Sequence, residues 1–171
     1  MKRLVKRALA RDPDAFAELI CAYKQDMYRV AKSYLRNDED VADAMQDAIL
    51  TCFEKLPSLR EPDYFKTWLI KILINKCNDL LKAGKRYVSI ENIPEEGFRD
   101  TGQENIEFMM LMDSLDEQYR TVLVLRYSEG FSVREIGEIL GLTESAVKAR
   151  LKRGRDKVKK VYEHNKMEVL V

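Results

Sequence analysis

The stretch from Phe131 to Arg155 constrains the fold of this chain more than any other, because its capping signals fix where two helices begin and end. Ser132 is a natural N-cap, and Glu135, three residues later, completes a capping box. Gly141 stands where the first helix must stop, since glycine reaches the left-handed conformation without a steric cost. Thr143 can cap a second helix directly after it. The stretch therefore predicts a helix-turn-helix.

The second helix of this motif carries its positive charge on the side that faces away from the first helix. Its inner face holds Ala146, Val147 and Leu151. Its outward positions are Ser145, Lys148, Ala149, Lys152 and Arg153, with Arg150 and Arg155 at the flanks. Such a helix lies in the DNA major groove, where we expect Ser145, Lys148 and Lys152 to reach base edges and the three arginines to reach phosphates. The alternative is an ordinary helical hairpin whose lysine-rich face is only solvated.

Length and composition favour a helical protein of one domain or two small ones. The 171 residues include only seven glycines and four prolines, which argues against an all-β protein. The net charge of +1 hides blocks of alternating sign, since residues 37–63 carry eight acidic and two basic side chains and residues 91–117 carry nine and one. Separated basic segments indicate two nucleic-acid contacts, and the acidic blocks indicate a basic protein partner.

Neither a membrane segment nor a disulfide framework is indicated. No apolar run reaches the roughly 18 residues of a transmembrane helix, and Met1–Arg7 lacks the apolar core of a signal peptide. Cys21, Cys52 and Cys77 are far apart, and each sits in a helical apolar pattern. We expect three buried thiols in a reducing cytoplasm, and a soluble cytoplasmic protein without direct membrane insertion.

Three longer helices are predicted in the first half of the chain. They run from Asp12 to about Leu35, from Asn37 or Asp38 to Pro57, and from Pro62 to about Ala83. Phe53 belongs to the apolar positions of the second helix, and Phe65 and Trp68 to those of the third. These helices predict a compact antiparallel domain over residues 1–84.

The remainder of the chain reads as a linker and a second helical domain. Periodicity fails over residues 85–103, where Pro94, Gly97 and Gly102 among acidic residues predict a flexible acidic linker. Over residues 104–165 a helix at Glu104–Met112 and another from about Asp116 to Ser128 precede the helix-turn-helix. The predicted fold is all-α: an N-terminal three-helix domain and a C-terminal helix-turn-helix domain joined by this linker.

Catalytic chemistry has little support in this sequence. The only histidine, His164, has no nearby nucleophile, and no phosphate loop, nucleotide fingerprint or metal-ligand cluster appears. Asp43 and Asp47 lie one helical turn apart and could bind a metal, but no histidine and no second carboxylate pair accompanies them. We therefore expect no enzyme activity, no cofactor and no small-molecule substrate.

The third helix has a composition suited to single-stranded nucleic acid. It combines the aromatic residues Tyr64, Phe65 and Trp68 with several lysines and Asn75. The alternative is that Phe65 and Trp68 are core residues, which we favour for these two, and that the lysines are only solvated. Asparagine does not favour the middle of a helix. We therefore weigh a contact of Asn75 with a base or a partner equally against its presence there by chance.

Three segments, in order along the chain, resemble the extracytoplasmic-function (ECF) group of bacterial RNA polymerase sigma factors. The aromatic and basic Asn-x-x-x-Asp helix of that group is similar to residues 65–82, FKTWLIKILINKCNDLLK. Its preceding helix, with an Ala-Asp-x-x-Gln-Asp pattern, is similar to residues 41–56, VADAMQDAILTCFEKL. Its C-terminal domain resembles residues 115–159, and the acidic linker falls where the group has one.

The resemblance implies a role for each cluster of polar residues. Docking onto the basic coiled coil of the largest polymerase subunit is implied for Asp43, Gln46 and Asp47. Reading and melting the upstream edge of the minus-ten promoter element is implied for the loop from Leu59 to Tyr64 and for Lys66, Lys71, Asn75, Lys76 and Asp79. Recognition of the minus-thirty-five element is implied for Ser145, Lys148, Ala149, Lys152 and Arg153. The resemblance places Arg153 on the base side, whereas the groove geometry places it near phosphates.

The sequence thus predicts a sigma factor that binds core RNA polymerase and promoter DNA, with an anti-sigma factor as a further partner. The alternative is a helix-turn-helix regulator that binds an operator as a dimer. In that case residues 16–83 would have to form a sensor or dimerisation domain, and their acidic helix and aromatic-lysine helix would be unexplained. An enzyme or an RNA-processing accessory protein lacks any candidate site.

Overall fold

The computed structural model describes residues 1–87, 112 and 114–168, and the side chains of residues 1–83, 112 and 114–161. The chain divides into two compact units, Met1–Glu95 and Glu96–Val171. The described residues form helices and turns and contain no strand, so the predicted all-α fold is confirmed. The linker predicted over residues 85–103 and the helix predicted at Glu104–Met112 lie almost wholly outside the described residues, and the exact domain boundaries stay predictions.

Residues 1–87 of the N-terminal unit form four helices. They are α1 (Lys2–Leu9), α2 (Pro13–Tyr34), α3 (Asp38–Lys55) and α4 (Phe65–Tyr87), with 3-10 turns at Leu56–Ser58 and Pro62–Tyr64 between α3 and α4. Helices α2, α3 and α4 pack against one another, and α1 packs against α2. The prediction of three helices was wrong by one: α1 is only eight residues long, and no side-chain cap at Met1 marks its start.

Local capping explains where the two predicted helices α2 and α3 begin. The Asp12 carboxylate accepts a hydrogen bond from the Ala15 N–H at 3.0 Å, with Pro13 in the first turn. The Asn37 side chain accepts from the Glu39 N–H at 2.8 Å. Each bond satisfies a helix N–H group that has no partner within the helix.

Three side chains of the N-terminal unit lie differently from what their apolar patterns predict. Phe53 is 57% exposed and touches Phe16 only edge-on, with 5.1 Å between ring centroids, because the smaller Ala48 and Cys52 take the core-facing side of α3. Trp68 is half-buried, and Cys21 is exposed on α2. Cys52 and Cys77 are buried as expected, and burial raises the pKa of the Cys52 thiol to about 12.

In the described part of the C-terminal unit, residues 114–168, short helices pack on one long helix. They are α5 (Glu117–Leu123), which widens into a π-helical turn at Val124–Ser128, then α6 (Val133–Leu140) and α7 (Glu144–Glu168). Helix α7 packs against both α5 and α6. At the α5 contact Gly154 keeps the helices close, since a Cβ there would lie 3.1 Å from the Leu123 side chain.

The helix-turn-helix has the capping and turn geometry that the sequence predicts. The Ser132 hydroxyl accepts from the Glu135 N–H at 3.2 Å while the Glu135 carboxylate accepts from the Ser132 N–H at 2.8 Å, which is a complete capping box. Gly141 ends α6 in the left-handed region at φ +66°. Gly137 faces the turn, where a Cβ would come within 2.7 Å of the Leu142 carbonyl oxygen.

No helix within residues 1–87 and 114–168 combines the length and the apolar character that crossing a membrane would require.

Candidate nucleic-acid and polymerase interfaces

The outward face of α7 is a cationic surface above a buried apolar contact. Val147, Leu151 and Gly154 are buried against the rest of the unit. The predicted DNA-facing residues Ser145, Lys148, Ala149, Lys152, Arg153 and Arg155 are exposed, and Arg150 is half-buried. By helical periodicity the first five share one side, while Arg150 and Arg155 fall on opposite flanks. The structure thus brings together the residues that the sequence assigns to this face.

Hydrogen bonds at each end of this face orient two of its members. The Thr143 hydroxyl caps α7 by accepting from the Ala146 N–H at 3.2 Å and lies 3.0 Å from the Ser145 hydroxyl. The Arg155 guanidinium donates to the Tyr127 hydroxyl at 3.3 Å, a contact from the π-helical turn that the sequence did not reveal. Arg155 is therefore held at the flank, the position from which a groove-bound helix reaches phosphates.

The cations at the centre of the face have little competition from carboxylates. Lys148 approaches Glu144 only to 3.9 Å, and both side chains are exposed. Within the part of the chain that the structure describes, Lys152 has no ion-pair partner. Arg153 lines a shallow hollow with Tyr119 and Lys157, on the edge towards α5. Arg153 therefore lies at the rim of the α7 face. This explains why the resemblance predicts a base contact for Arg153 and the groove geometry predicts a phosphate contact.

One stripe of α4 combines polar and aromatic side chains that face solvent. Lys71, Asn75 and Asp79 follow each other at intervals of four residues, and all three are exposed. Tyr64, at the end of the second 3-10 turn, is 48% exposed and precedes Lys71 by seven residues, so it continues the same side. Within the described residues no carboxylate pairs with Lys71. This α4 stripe, Tyr64 with Lys71, Asn75 and Asp79, contains the last residue of the loop and three of the five α4 residues predicted for the minus-ten element.

Lys66 and Lys76 do not belong to the α4 stripe. The Lys66 ammonium lies 2.9 Å from an Asp26 carboxylate oxygen, on the side of α4 that packs towards α2. Asp26 also pairs with Arg29 one turn along α2. Lys76 is half-buried, about a third of a turn around the helix from the stripe. Charge alone could not separate these lysines from Lys71 in the sequence.

Aromatic side chains pack against the buried side of α4 at its first turn. The ring centroids of Tyr23 and Phe65 are 5.5 Å apart, and those of Phe65 and Trp68 are 6.2 Å apart. Phe65 is fully buried, as the core interpretation predicts. Partial burial raises the pKa of the Tyr23 phenol, so it stays neutral at physiological pH. The turn that carries Tyr64 therefore begins on a rigid apolar base.

The exposed face of α3 is both acidic and apolar. Asp43, Gln46 and Asp47 are all exposed, on the side opposite the buried residues of α3. Leu50 and Phe53 continue the same face and are 61% and 57% exposed. The sequence analysis missed Leu50 and placed Phe53 in the core, although a leucine seven residues after Asp43 has the right spacing to be found. Exposed apolar groups beside carboxylates are typical of a protein-binding surface.

Within residues 1–83 and 114–161, no group of three or more histidine, cysteine or acidic side chains could hold a metal ion. Asp43 and Asp47 accordingly lie on an open helix face and do not form a ligand cluster.

Two family profiles match this chain, one in each unit. Residues 19–87 match "Sigma-70 region 2", which includes α3 and the α4 stripe, and residues 105–158 match "Sigma-70, region 4", which includes the helix-turn-helix. Among similar proteins, "RNA polymerase sigma factor SigV" of Bacillus subtilis is 32% identical over 137 residues, covering 78% of this chain and 82% of the relative. The "ECF RNA polymerase sigma-E factor" of Escherichia coli K12 is 29% identical, covering 98% and 94%.

Solved structures have the same architecture. The CnrH chain, solved in complex with the cytosolic domain of CnrY, superposes with a TM-score of 0.70 at 26% identity, covering 95% of this chain and 97% of that one. The sigma factor RpoE of Bartonella quintana, solved with the anti-sigma factor NepR, superposes with a TM-score of 0.74 at 20% identity, covering 86% and 96%. The second likeness supports the fold alone.

Proposed function

The chain belongs to the ECF group of the sigma-70 family of RNA polymerase sigma factors, and we propose that three of its exposed faces divide the work of promoter recognition. It is a transcription initiation factor that recognises promoters, and not an enzyme. A dimeric operator-binding regulator is set aside, because the residues that would have to form its sensor or dimerisation domain match sigma-70 region 2.

The α7 face reads the minus-thirty-five element in this proposal. Exposed Lys148 and Lys152 have the length and donors to reach guanine edges in the major groove, and Ser145 has a hydroxyl that is already oriented beside the cap. Ala149 has no donor and can only pack against a base. Arg150, Arg153 and Arg155 bind phosphates around the groove, since they lie on the flanks and rim of the face.

The α4 stripe reads the minus-ten element. Tyr64 offers an exposed ring for a base to stack on, and the Asn75 amide can pair with a base edge. Lys71 supplies a free ammonium for the strand's backbone. Lys66 acts indirectly, because its ion pair with Asp26 fixes the first turn of α4, and Lys76 lies too far around the helix to share the stripe.

The α3 face docks onto a basic surface of core polymerase, its largest-subunit coiled coil. Asp43 and Asp47 supply charge complementarity that steers the encounter, Gln46 supplies hydrogen bonding, and Leu50 and Phe53 supply apolar area to bury. The observation that carries the whole proposal is this exposed acidic and apolar face in the same chain as the exposed cationic helix-turn-helix.

An anti-sigma factor is a further proposed partner, and the cytoplasm the proposed location. The support is the CnrH structure, a relative at 26% identity whose complex contains the cytosolic domain of CnrY. Core polymerase and promoter DNA are found in the cytoplasm, so a protein that binds both must be located there.

Core binding and run-off transcription test this function together. The purified chain, added to core polymerase, should direct transcription from a promoter selected out of a random pool. Asp47→Lys should weaken core binding at least tenfold, about 1.4 kcal/mol, because a reversed charge is repelled by a basic surface. Glu18→Lys, an equal reversal on the exposed side of α2, is the matched control and should bind as the parent does.

The same assay can overturn the assignment. If Asp47→Lys binds core polymerase as tightly as the parent protein, the α3 face is not the docking surface. If the parent chain neither binds core polymerase nor yields a transcript from any selected promoter, the division of labour proposed here fails as a whole.

A further inference from the structure

Helix α1 is a short amphipathic helix with an entirely cationic outer side. Val5 and Ala8 are 1% and 3% exposed and face the rest of the unit. The exposed charged positions are Lys2, Arg3, Lys6 and Arg7. No acidic residue occurs among the eight residues of the helix. The match to sigma-70 region 2 begins at residue 19, so α1 lies outside that matched segment.

The two cations at the sides of this face hold α1 in place, and the two at its centre do not. The Lys2 ammonium pairs with Asp63, and this hydrogen bond raises the pKa of Lys2. The Arg7 guanidinium pairs with Asp12 at 2.7 Å. For Arg3 and Lys6, no carboxylate lies within ion-pair distance among the described residues. Arg3 and Lys6 are one helical turn apart and point away from the buried side.

Helix α1 lies next to the turn that begins the α4 stripe. Helix α1 packs against both 3-10 turns, Leu56–Ser58 and Pro62–Tyr64, and the second of them carries Tyr64. Lys2 pairs with Asp63 of that turn, so the N-terminal end of α1, where Arg3 follows Lys2, lies beside it. A strand whose base stacks on Tyr64 would bring its neighbouring phosphates past this helix.

We propose that Arg3 and Lys6 bind the phosphodiester backbone of promoter DNA beside the base held at Tyr64. This inference rests on the proposed function of the α4 stripe and extends it to a segment outside the region 2 match. DNA backbone fits better than an acidic protein surface because α1 packs directly against the 3-10 turn that carries Tyr64, the residue proposed to hold a base.

Salt dependence of promoter binding tests the inference. Holoenzyme assembled from the full chain and core polymerase is titrated with fluorescent promoter DNA at several salt concentrations. Arg3→Gln with Lys6→Gln should lower the slope of log affinity against log salt by roughly 1.4–1.8, two phosphate contacts at 0.7–0.9 each. Arg3→Lys with Lys6→Arg, which keeps both charges, should restore the parent slope. Lys24→Gln, an exposed cation on α2, should leave the slope unchanged.

Two outcomes overturn the inference. One is a parent slope in the Arg3→Gln and Lys6→Gln protein. The other is a loss that appears in the affinity for core polymerase without DNA, which would assign the cations to an acidic protein surface. Asn75→Ala in the same titration separates the two proposals. If Asn75→Ala weakens promoter binding while the double variant does not, only the α1 site fails. If neither Asn75→Ala nor the double variant weakens promoter binding, the proposed function of the α4 stripe is wrong, and the α1 proposal that rests on it is wrong as well.

Discussion

The two units use their lysines and arginines in different ways. On α7, the central cations of the face have, among the residues that the structure describes, no carboxylate closer than Glu144, at 3.9 Å from Lys148. In the N-terminal unit many basic side chains are tied to acids. The pairs are Lys2 with Asp63, Arg7 with Asp12, Arg29 with Asp26, Lys32 with Asp38, and Lys66 with Asp26. These five basic side chains of the N-terminal unit are therefore engaged by acids, four of them in contacts between different segments, whereas the central cations of the α7 face are available for DNA.

The helix-turn-helix is specified by contacts close along the chain, whereas parts of both units depend on contacts between distant segments. The capping box of α6 joins residues three apart, and Gly141 closes the same helix. Lys2 and Asp63 are separated by 61 residues in the N-terminal unit, and Asp116 and Lys157 by 41 in the C-terminal unit. Substitutions in the cap and turn of the helix-turn-helix should therefore act locally, and those in these two pairs should act between segments.

The largest effect is expected at the turn of the helix-turn-helix. Gly137→Ala should destabilise the C-terminal unit by about 1–3 kcal/mol, because its Cβ would lie 2.7 Å from the backbone oxygen of Leu142. Gly154→Ala is the matched control, since its Cβ would meet only the movable side chain of Leu123 at 3.1 Å. Amide hydrogen exchange of α6 and α7 measures both. Equal protection in the two variants would show that the turn is not locally constrained.

Base discrimination on α7 should follow the position of each cation. Lys148→Ala should lose roughly 1–3 kcal/mol of discrimination against a wrong base at one promoter position. Arg155→Ala should weaken binding to all sequences alike and reduce the salt slope by about one counterion. Affinities for a panel of single-base promoter variants at two salt concentrations measure both changes. A uniform loss from Lys148→Ala, with a lower salt slope, would move Lys148 to the phosphate class.

Much of the C-terminal unit could be predicted from sequence, because its signals are local. A cap, a capping partner and a turn glycine specify their own geometry, and Ser132, Glu135 and Gly141 have the expected roles. The outward face of α7 followed from the same helix boundaries. What stayed hidden was the Tyr127 contact to Arg155, since it depends on the π-helical turn.

The N-terminal unit could be predicted in outline only. Its three longer helices follow from caps and periodicity, but which side of each helix is buried depends on neighbours that the sequence does not reveal. Phe53 was assigned to the core and is exposed, and Lys66 was grouped with Lys71 although it turns towards Asp26. Helix α1 was missed because it is only eight residues long and lacks a side-chain cap to mark its start.

Lys66 and Lys71 allow a lysine that is paired with a carboxylate to be compared with one that is not, within the same helix. Lys71→Gln should reduce the salt slope of promoter binding by about one counterion, because its ammonium has no carboxylate partner within the described residues. Lys66→Gln should leave that slope unchanged and instead lower the thermal unfolding midpoint of the N-terminal unit, because Asp26 loses a partner at 2.9 Å. If Lys66→Gln alters the slope as much as Lys71→Gln, the ion pair opens when DNA binds.

The smallest effect concerns how two long helices, one in each unit, are capped. Asp12 caps α2 with a carboxylate, whereas Thr143 caps α7 with a hydroxyl that does not titrate. The pKa of Asp12 is lowered, first by the hydrogen bond from the Ala15 N–H and then by Arg7. A lowered pKa in the folded state means that this stabilisation is complete above the unfolded value, about 3.9, and is lost as the pH falls through the folded value. The contribution is modest because the carboxylate is exposed to solvent and salt.

Asp12→Asn isolates this titration, because asparagine also caps helices but carries no charge. The thermal midpoint of the parent should exceed that of Asp12→Asn near pH 6, and the difference should shrink as the pH falls below about 3.9. Thr143→Ser, which keeps a hydroxyl cap on α7, is the comparison in the other unit, and its difference from the parent should not vary over that range. A constant difference between the parent and Asp12→Asn down to low pH would mean that Asp12 stabilises α2 through its hydrogen bond alone. The charged cap and its pair with Arg7 would then add nothing, and the contrast between a charge-secured unit and a locally capped one would no longer hold at this helix.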